Sequence, residues 1–179
     1  TGDLLDENED KYDLDYYLKL AKNIENEGAH ILGIKDMAGL LKPYAAYKLI
    51  KALKETIDIP IHLHTHDTTG NGVATLLMAA EAGVDIVDTA FNSMSGLTSQ
   101  PALNSIVAAL ENTERETHFK LENLQEISNY WQKVRPVFEE FETDLKTSSA
   151  EIYKYEIPGG QYSNFKPQVE SLGLGHRFN

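Results

Sequence analysis

The stretch IPIHLHTHDTTGNGVATLLMAAEAG, residues 59–83, contains a strand pattern, a turn pattern and a helix pattern in immediate succession. Its first nine residues are rich in Ile, Leu and Thr and end in polar residues, which is typical of a buried strand. The Thr/Gly/Asn segment that follows favours a turn. The apolar segment after it closes at Gly83, a residue type that commonly ends helices. We therefore predict one βα unit here.

The same unit occurs once before and once after this stretch. The intervals of roughly 25–30 residues are typical of βα units in a parallel sheet. Pro43 and Pro101 each precede a helix pattern, and proline is favoured at the first helical position. We predict strands at 29–37, 59–67 and 84–92, helices at 14–27, 43–57, 73–83 and 101–112, and the tail end of a strand at 1–5.

Beyond about residue 120 the pattern changes to helices alone. An apolar stripe at helical spacing is interrupted at Pro136 and then resumes, and we interpret it as a packing face. The segment IPGGQYSNF, residues 157–165, is predicted to be a Gly/Pro loop. The stripe consists of Leu121, Leu124, Ile127, Trp131 and Val134, then Val137, Phe138 and Phe141.

These elements predict an α/β fold that is an incomplete (β/α)₈ TIM barrel. A whole barrel needs eight βα units and about 250 residues, whereas three complete units are recognisable in these 179 residues. We expect the later βα units of a partial barrel at 1–117 and a C-terminal helical extension at 118–179.

Composition excludes several classes of partner and site. The formal net charge of −12 argues against a nucleic-acid or anionic-membrane surface, since both require clustered Lys and Arg. There is no cysteine, so neither disulfides nor thiolate metal ligands are possible. The sequence has no apolar run of membrane-spanning length, and its acidic start is unlike a secretory signal. We expect a soluble, intracellular protein.

Three histidines of the central strand are candidate metal ligands. His62, His64 and His66 follow one another at every second residue and therefore share one face of the strand. His64 and His66 are nearest the carboxyl end, where barrel enzymes have their sites, so they are the candidate ligand pair. His62 would then support the ligands or pack beside them. Hydrogen-bonded core histidines without a metal give the same pattern.

Lys35 ends the preceding strand on the face shared with Ile31 and Gly33, so it can project into the same mouth. A protonated amine would repel a metal, and an ion pair with an acid is one interpretation. An amine that has reacted with CO₂ would instead supply a carbamate oxygen ligand. Asp36 and Asp67 adjoin these residues, and either could orient ligands or simply cap a turn.

Three motifs carry a family resemblance. HTHDTTGNG resembles the H-x-H-[DN]-x-x-G pattern of the metal-dependent aldolase and lyase barrels. GIKDMAGLLKP (33–43) and IPGGQYSN (157–164), together with HLHTHDTTG (62–70), resemble the carboxyltransferase domain of the biotin-dependent carboxylases. Within that family the combination is most similar to the pyruvate carboxylase group. The oxaloacetate decarboxylase and transcarboxylase subunits share the first two motifs and usually have PGGM where this chain has PGGQ.

The resemblance implies a divalent metal, Zn or Mn, held by carbamylated Lys35, His64 and His66. It also implies transfer of a carboxyl group from carboxybiotin to pyruvate to form oxaloacetate, with biotin and ATP bound by other domains. In the family, an aspartate is the fourth metal ligand, an arginine binds pyruvate and a threonine shuttles the proton. These three residues belong to segments that this sequence does not contain. We therefore expect the chain alone to be inactive and assign it no catalytic or biotin-binding residue.

The resemblance further implies a homotetramer of the full-length enzyme, a biotin carrier domain as partner, and a cytoplasmic or mitochondrial-matrix location. Three alternatives remain open at this stage. One is a decarboxylase or transcarboxylase subunit with the same site. The second is an aldolase or lyase barrel, which is disfavoured because those enzymes generally lack the lysine before Asp-Met-Ala-Gly. The third is a piece without turnover, whose exposed strands would invite association.

Overall fold

A computed structural model describes residues 4–6, 11–142, 145–156, 161, 165 and 168–177. Helices and strands alternate up to residue 87, and helices follow. The elements are α1 Leu14–Asn26, β1 Leu32–Asp36, α2 Pro43–Thr56, β2 Ile61–Thr65, α3 Gly72–Glu81, β3 Ile86–Val87, a 3₁₀ turn Asn92–Met94, α4 Leu103–Leu110, α5 Leu121–Val134, a 3₁₀ helix Arg135–Phe141, α6 Ile152–Tyr155 and a 3₁₀ turn Gly175–Arg177.

The three strands form a parallel sheet in the order β1-β2-β3. Lys35 is the strand partner of His64, and His62 is the partner of Ile86. β3 is shorter than the predicted 84–92, because the chain beyond Val87 continues into loop backbone. There Ala90 bridges to Ala102 in parallel pairing. The predicted βα order and the parallel sheet are confirmed, as in part of a TIM barrel.

One face of the sheet carries the core. Ile61, Leu63 and Thr65 of β2 are buried, whereas the intervening His62 and His64 are half-exposed. The buried face packs against α2 and α3 in one hydrophobic cluster. This alternation fixes the register of the strand, because a slip by one residue would turn the apolar set outward. The histidines consequently lie on the face that the helices do not cover.

The helix starts follow local chemistry. The Asp13 side chain accepts a hydrogen bond from the Tyr16 N–H at 2.8 Å and caps α1. Pro43 occupies the first turn of α2, as predicted. Pro101 does not open α4, which begins at Leu103. Its carbonyl instead accepts a hydrogen bond from the Ala90 N–H at 3.0 Å, so the proline belongs to the bridge beside β3.

The predicted packing face of α5 is only partly covered within the described residues. Leu124 is 6% exposed, whereas Ile127 is 41% and Trp131 is 36% exposed. The apolar residues after Pro136 are exposed as well. α5 is anchored through polar groups, since the Arg135 guanidinium donates to the Ser93 carbonyl at 2.6 Å.

Two predictions concern segments that are largely outside the described residues. In the first segment, Leu4 and Leu5 form a turn and not a strand end, and 1–3 lie outside the description. Of the predicted loop 157–165, the structure describes Gln161 and Phe165 alone, and both are helical. The loop prediction is wrong at those two positions, because the helix-breaking Pro and Gly residues precede them. No helix in the described part of the chain is long and apolar enough to cross a membrane.

Candidate metal centre

His64 and His66 point their Nε2 atoms at each other. The two atoms are 3.2 Å apart. The opposite ring nitrogen of each histidine is held by an oxygen: His64 Nδ1 lies 2.7 Å from Asp88 Oδ2, and His66 Nδ1 lies 2.6 Å from the Thr98 carbonyl. Both rings are therefore oriented from behind, with their Nε2 atoms converging on one point.

The partners of these rings determine where their protons are. A carbonyl oxygen can only accept, so His66 Nδ1 must carry a hydrogen to donate to Thr98. Burial raises the pKa of Asp88, but hydrogen bonds from His64 and His62 outweigh it and keep that pKa below its ordinary value. Asp88 is thus a carboxylate, and His64 Nδ1 is its donor. In neutral rings both Nε2 atoms then carry unshared pairs.

Two unshared pairs facing each other at 3.2 Å favour a cation between them. Two Zn–N bonds of about 2.0–2.1 Å at a tetrahedral angle would place the nitrogens about 3.3–3.4 Å apart. The pair therefore fits a divalent metal in both chemistry and spacing. Among the described residues, no group of three or more His, Cys, Asp or Glu could hold a metal, so a further ligand must be of another type or come from elsewhere.

Lys35 is placed beside this pair by the sheet register. It is the strand partner of His64 and lies on the same face, with Gly33 opposite His62. Lys35 is exposed, and none of the described acidic residues forms an ion pair with it. The structure thus brings Lys35, His64 and His66 to one edge of one face. It supports neither an ion pair for Lys35 nor a direct contact with the histidines.

Asp36 does not orient a histidine. It is 1% exposed and faces the helices, where its carboxylate accepts hydrogen bonds from the N–H groups of Leu40 and Leu41 and from the Thr65 hydroxyl, each at 2.9 Å. It therefore ties the turn after β1 to the end of β2. The hypothesis that Asp36 supports a ligand is wrong, because strand alternation turns it away from Lys35.

Asp67 also has a capping role. Its Oδ1 accepts a hydrogen bond from the Gly72 N–H at 2.8 Å, at the start of α3. Burial raises the pKa of Asp67, and the bond from Gly72 opposes that shift. The structure thus supports the capping interpretation of Asp67, because its Oδ1 is used at the start of α3.

Asp88 is the supporting acid that sequence reasoning missed. It follows β3 by one residue, and its Oδ1 lies 2.7 Å from His62 Nε2 while its Oδ2 binds His64. His62, which was set aside as a ligand, is hydrogen-bonded to the same carboxylate as His64. The sequence shows an acid within the predicted third strand, but its pairing with His62 and His64 depends on the register between β2 and β3.

The C-terminal region contacts the turn that follows the histidine strand. The Tyr153 hydroxyl accepts a hydrogen bond from Asn71 Nδ2 at 2.8 Å and donates to Thr69 Oγ1 at 3.3 Å. The Thr69 hydroxyl in turn donates to the Gly39 carbonyl at 3.1 Å. Helix α6 and the turns after β1 and β2 are therefore joined by one hydrogen-bonded chain.

Comparison with known proteins gives concordant matches in sequence and structure. The protein-family model described as HMGL-like matches residues 4–130, and the one described as Conserved carboxylase domain matches residues 152–179. The pyruvate carboxylase of Bacillus subtilis (strain 168) is 56% identical over 179 residues, which is 100% of this chain and 16% of that protein. The pyruvate carboxylase of Staphylococcus aureus is 57% identical over 180 residues, again 100% and 16%.

Among solved structures, the carboxyl transferase domain of Rhizobium etli pyruvate carboxylase with pyruvate and biocytin superposes with a TM-score of 0.96 at 53% identity. The match covers 99% of this chain and 30% of that one. The chain thus spans about a sixth of the length of its curated relatives, whose share covered is 16%. Nearly the whole length of this chain resembles part of that carboxyl transferase domain. The chain belongs to the HMGL-like family.

Proposed function

We propose that this chain supplies most of the metal site of a biotin-dependent pyruvate carboxylase. In the full-length enzyme, a carboxyl group moves from carboxybiotin to pyruvate and gives oxaloacetate. The single observation that supports this most is the convergence of His64 Nε2 and His66 Nε2 beside the strand partner Lys35. The similarity to a carboxyl transferase domain that contains pyruvate and biocytin supports the choice of substrates.

The proposed ligands in this chain are His64, His66 and Lys35, and the metal is Zn or Mn. Neutral imidazole suits either ion. A carbamate forms when the unprotonated Lys35 amine attacks CO₂, making an N–C bond and releasing one proton to solvent. It would add a hard oxygen ligand and replace a positive charge by a negative one. When bound, the ion would act as a Lewis acid towards the ketoacid and as a template for it.

The chain's own residues prepare this site. Thr98 and Asp88 hold the histidine rings, so the ligand atoms need little reorganisation when the ion enters. Thr65 and Leu63, on the opposite face of β2, are buried and fix the strand from behind. Strand β2 is therefore held in place and positions the Nε2 atoms of His64 and His66, as effective metal sites require.

The remaining parts of the proposed enzyme lie beyond this chain. These are an aspartate ligand, a pyruvate-binding arginine, a catalytic threonine, a biotin carrier domain and an ATP-using domain. We propose residues 1–117 as the partial barrel and 118–179 as its helical extension, within a homotetramer. The expected compartment is the bacterial cytoplasm or the mitochondrial matrix. On this proposal the chain by itself has no turnover.

The test uses the full-length enzyme with His64→Ala or His66→Ala. We expect either variant to lose bound metal and pyruvate carboxylation together, because each removes one of two converging nitrogens. His30→Ala is the matched control, since His30 is exposed and lies before β1. Elemental analysis that finds unchanged metal content in the His64→Ala and His66→Ala variants would refute the ligand assignment.

Lys35→Arg tests the third ligand separately. A guanidinium cannot form the carbamate and keeps its positive charge. We expect weaker metal binding and loss of carboxylation in this variant. High-resolution electron density of the metal-loaded parent enzyme that shows a plain amine at Lys35 would remove Lys35 from the ligand set and leave the histidines in place.

A further inference from the structure

We propose that Asp88 is a positioning residue for the metal site. Asp88 sets the orientation and the tautomer of the ligand His64. This inference rests on the proposed function, because it assumes that His64 Nε2 is a ligand. Nothing in the three sequence motifs includes Asp88. The inference comes instead from the arrangement of one carboxylate between two imidazoles.

The carboxylate is matched to its two neighbours oxygen by oxygen. Oδ1 lies 2.7 Å from His62 Nε2, and Oδ2 lies 2.7 Å from His64 Nδ1. Each oxygen therefore binds one imidazole at charge-assisted hydrogen-bond distance. Rotation of the His64 ring would break one of these bonds, so the ring is restrained with Nε2 towards His66.

The backbone of Asp88 is itself fixed. Its N–H donates to the Leu63 carbonyl at 3.1 Å, and the preceding strand pairs Val87 with Leu63. The Asp88 side chain consequently extends from a hydrogen-bonded backbone position next to β2. A side chain on a mobile loop could not hold a ring with comparable precision.

Stability alone gives a weak reason for this arrangement. The side chains of His62, His64 and Asp88 are 34%, 27% and 39% exposed. Hydrogen-bonded His–Asp pairs that are this accessible contribute little to folding stability. The geometry has a stronger consequence for a ligand, because a proton fixed on Nδ1 leaves the unshared pair on Nε2.

The experiment measures Mn²⁺ affinity in the full-length enzyme after chelator treatment. Free Mn²⁺ is followed by electron paramagnetic resonance in a titration, without substrate. We expect Asp88→Ala to raise the Kd for Mn²⁺ about 10–100-fold, the usual effect of removing a group that supports a ligand. Asp88→Asn should lie between the parent and Asp88→Ala, because the amide oxygen is a weaker acceptor. Asp58→Ala, an exposed acid before β2, is the control and should bind like the parent.

A folded Asp88→Ala enzyme with a Kd within about twofold of the parent would overturn the positioning role. If Asp88→Ala does not fold, Asp88→Asn decides, and an unchanged Kd there would overturn it equally. His64→Ala separates the two proposals. Weak binding by His64→Ala with normal binding by both Asp88 variants refutes the role of Asp88 alone. Normal binding by His64→Ala refutes the ligand assignment and, with it, this inference.

Discussion

Gly39 lies so close to His66 that a Cβ atom at Gly39 would be 2.5 Å from the His66 carbonyl oxygen. Gly39 also has a φ of +68°, which a residue with a side chain rarely adopts. The turn after β1 therefore packs directly against the backbone of a proposed metal ligand. This contact links the first βα turn of the described sheet to the position of His66.

We predict that Gly39→Ala displaces His66 and weakens metal binding. The added methyl group overlaps a backbone oxygen, so the strand end must shift. Mn²⁺ affinity measured by titration should fall several-fold or more, with carboxylation activity falling in parallel. Two alanine controls separate the causes. Gly28→Ala adds a positive-φ strain of similar kind with nothing within 4 Å, and Gly33→Ala adds neither strain nor overlap. A Gly28→Ala enzyme that loses as much affinity as Gly39→Ala would contradict the steric explanation.

A second prediction concerns Asp36. Three donors now point at the Asp36 carboxylate. Asp36→Asn keeps the shape of the side chain but replaces one acceptor oxygen by an NH₂ donor, which cannot accept from them. We expect the free energy of unfolding to fall by about 1–3 kcal/mol, the cost of an unsatisfied buried partner. Urea denaturation at neutral pH measures the change. Asp58→Asn is the exposed control, and equal midpoints for the Asp36→Asn variant and the parent would show that Asp36 does not tie the two strand ends together.

Tyr153 gives a third prediction. Tyr153→Phe removes the hydroxyl that joins Asn71 to Thr69 and thereby disconnects α6 from the turn after β2. We expect a loss of about 1 kcal/mol in the free energy of unfolding. Hydrogen exchange should also become faster in the turn at 68–72. Tyr44→Phe, at a side chain that is 74% exposed, should leave both measurements unchanged. Unaltered exchange in the Tyr153→Phe variant would argue against this connection.

Asp85 provides a prediction about pH. Burial raises its pKa, but hydrogen bonds from the Ile61 N–H at 2.8 Å and from Lys54 at 2.9 Å lower it below the ordinary 3.8. A depressed folded-state pKa means that the stabilisation is complete above 3.8 and disappears as pH falls through the folded value. Asp85→Asn should therefore lower the free energy of unfolding at neutral pH, by about 1 kcal/mol or less for this exposed pair.

The difference between the parent and Asp85→Asn should shrink as the solution is acidified below the ordinary pKa of 3.8. Thermal unfolding followed by circular dichroism across that range provides the measurement. A difference that grows on acidification would have the wrong sign and would exclude this linkage.

The fold was predictable from sequence wherever its causes are local. The alternation of β2 and the apolar face of α2 are both local patterns, and the structure has both. The predicted start of α4 was wrong because Ala102 forms a bridge with Ala90 and the Pro101 carbonyl accepts a hydrogen bond from the Ala90 N–H, a pairing between separated residues. The exposure of Trp131 has no signature in the periodicity, since a stripe indicates a face but does not say what covers it.

The site shows the same limit. Strand alternation selected His64 and His66 as candidates, and it would also have placed Asp36 on the opposite face from Lys35. Asp88 required the relative register of β2 and β3, which short strands do not encode strongly. The metal and the carbamate at Lys35 came from resemblance, because strand geometry alone also allows hydrogen-bonded histidines.

The ligand assignment is tested most directly by anomalous diffraction from crystals of the metal-loaded full-length enzyme, recorded at the absorption edges of Zn and Mn. We predict one peak about 2.0–2.2 Å from both His64 Nε2 and His66 Nε2, with a carbamate oxygen of Lys35 in the same shell. A loaded, active enzyme whose anomalous peak is bonded to neither histidine would contradict the proposal that His64 and His66 are metal ligands.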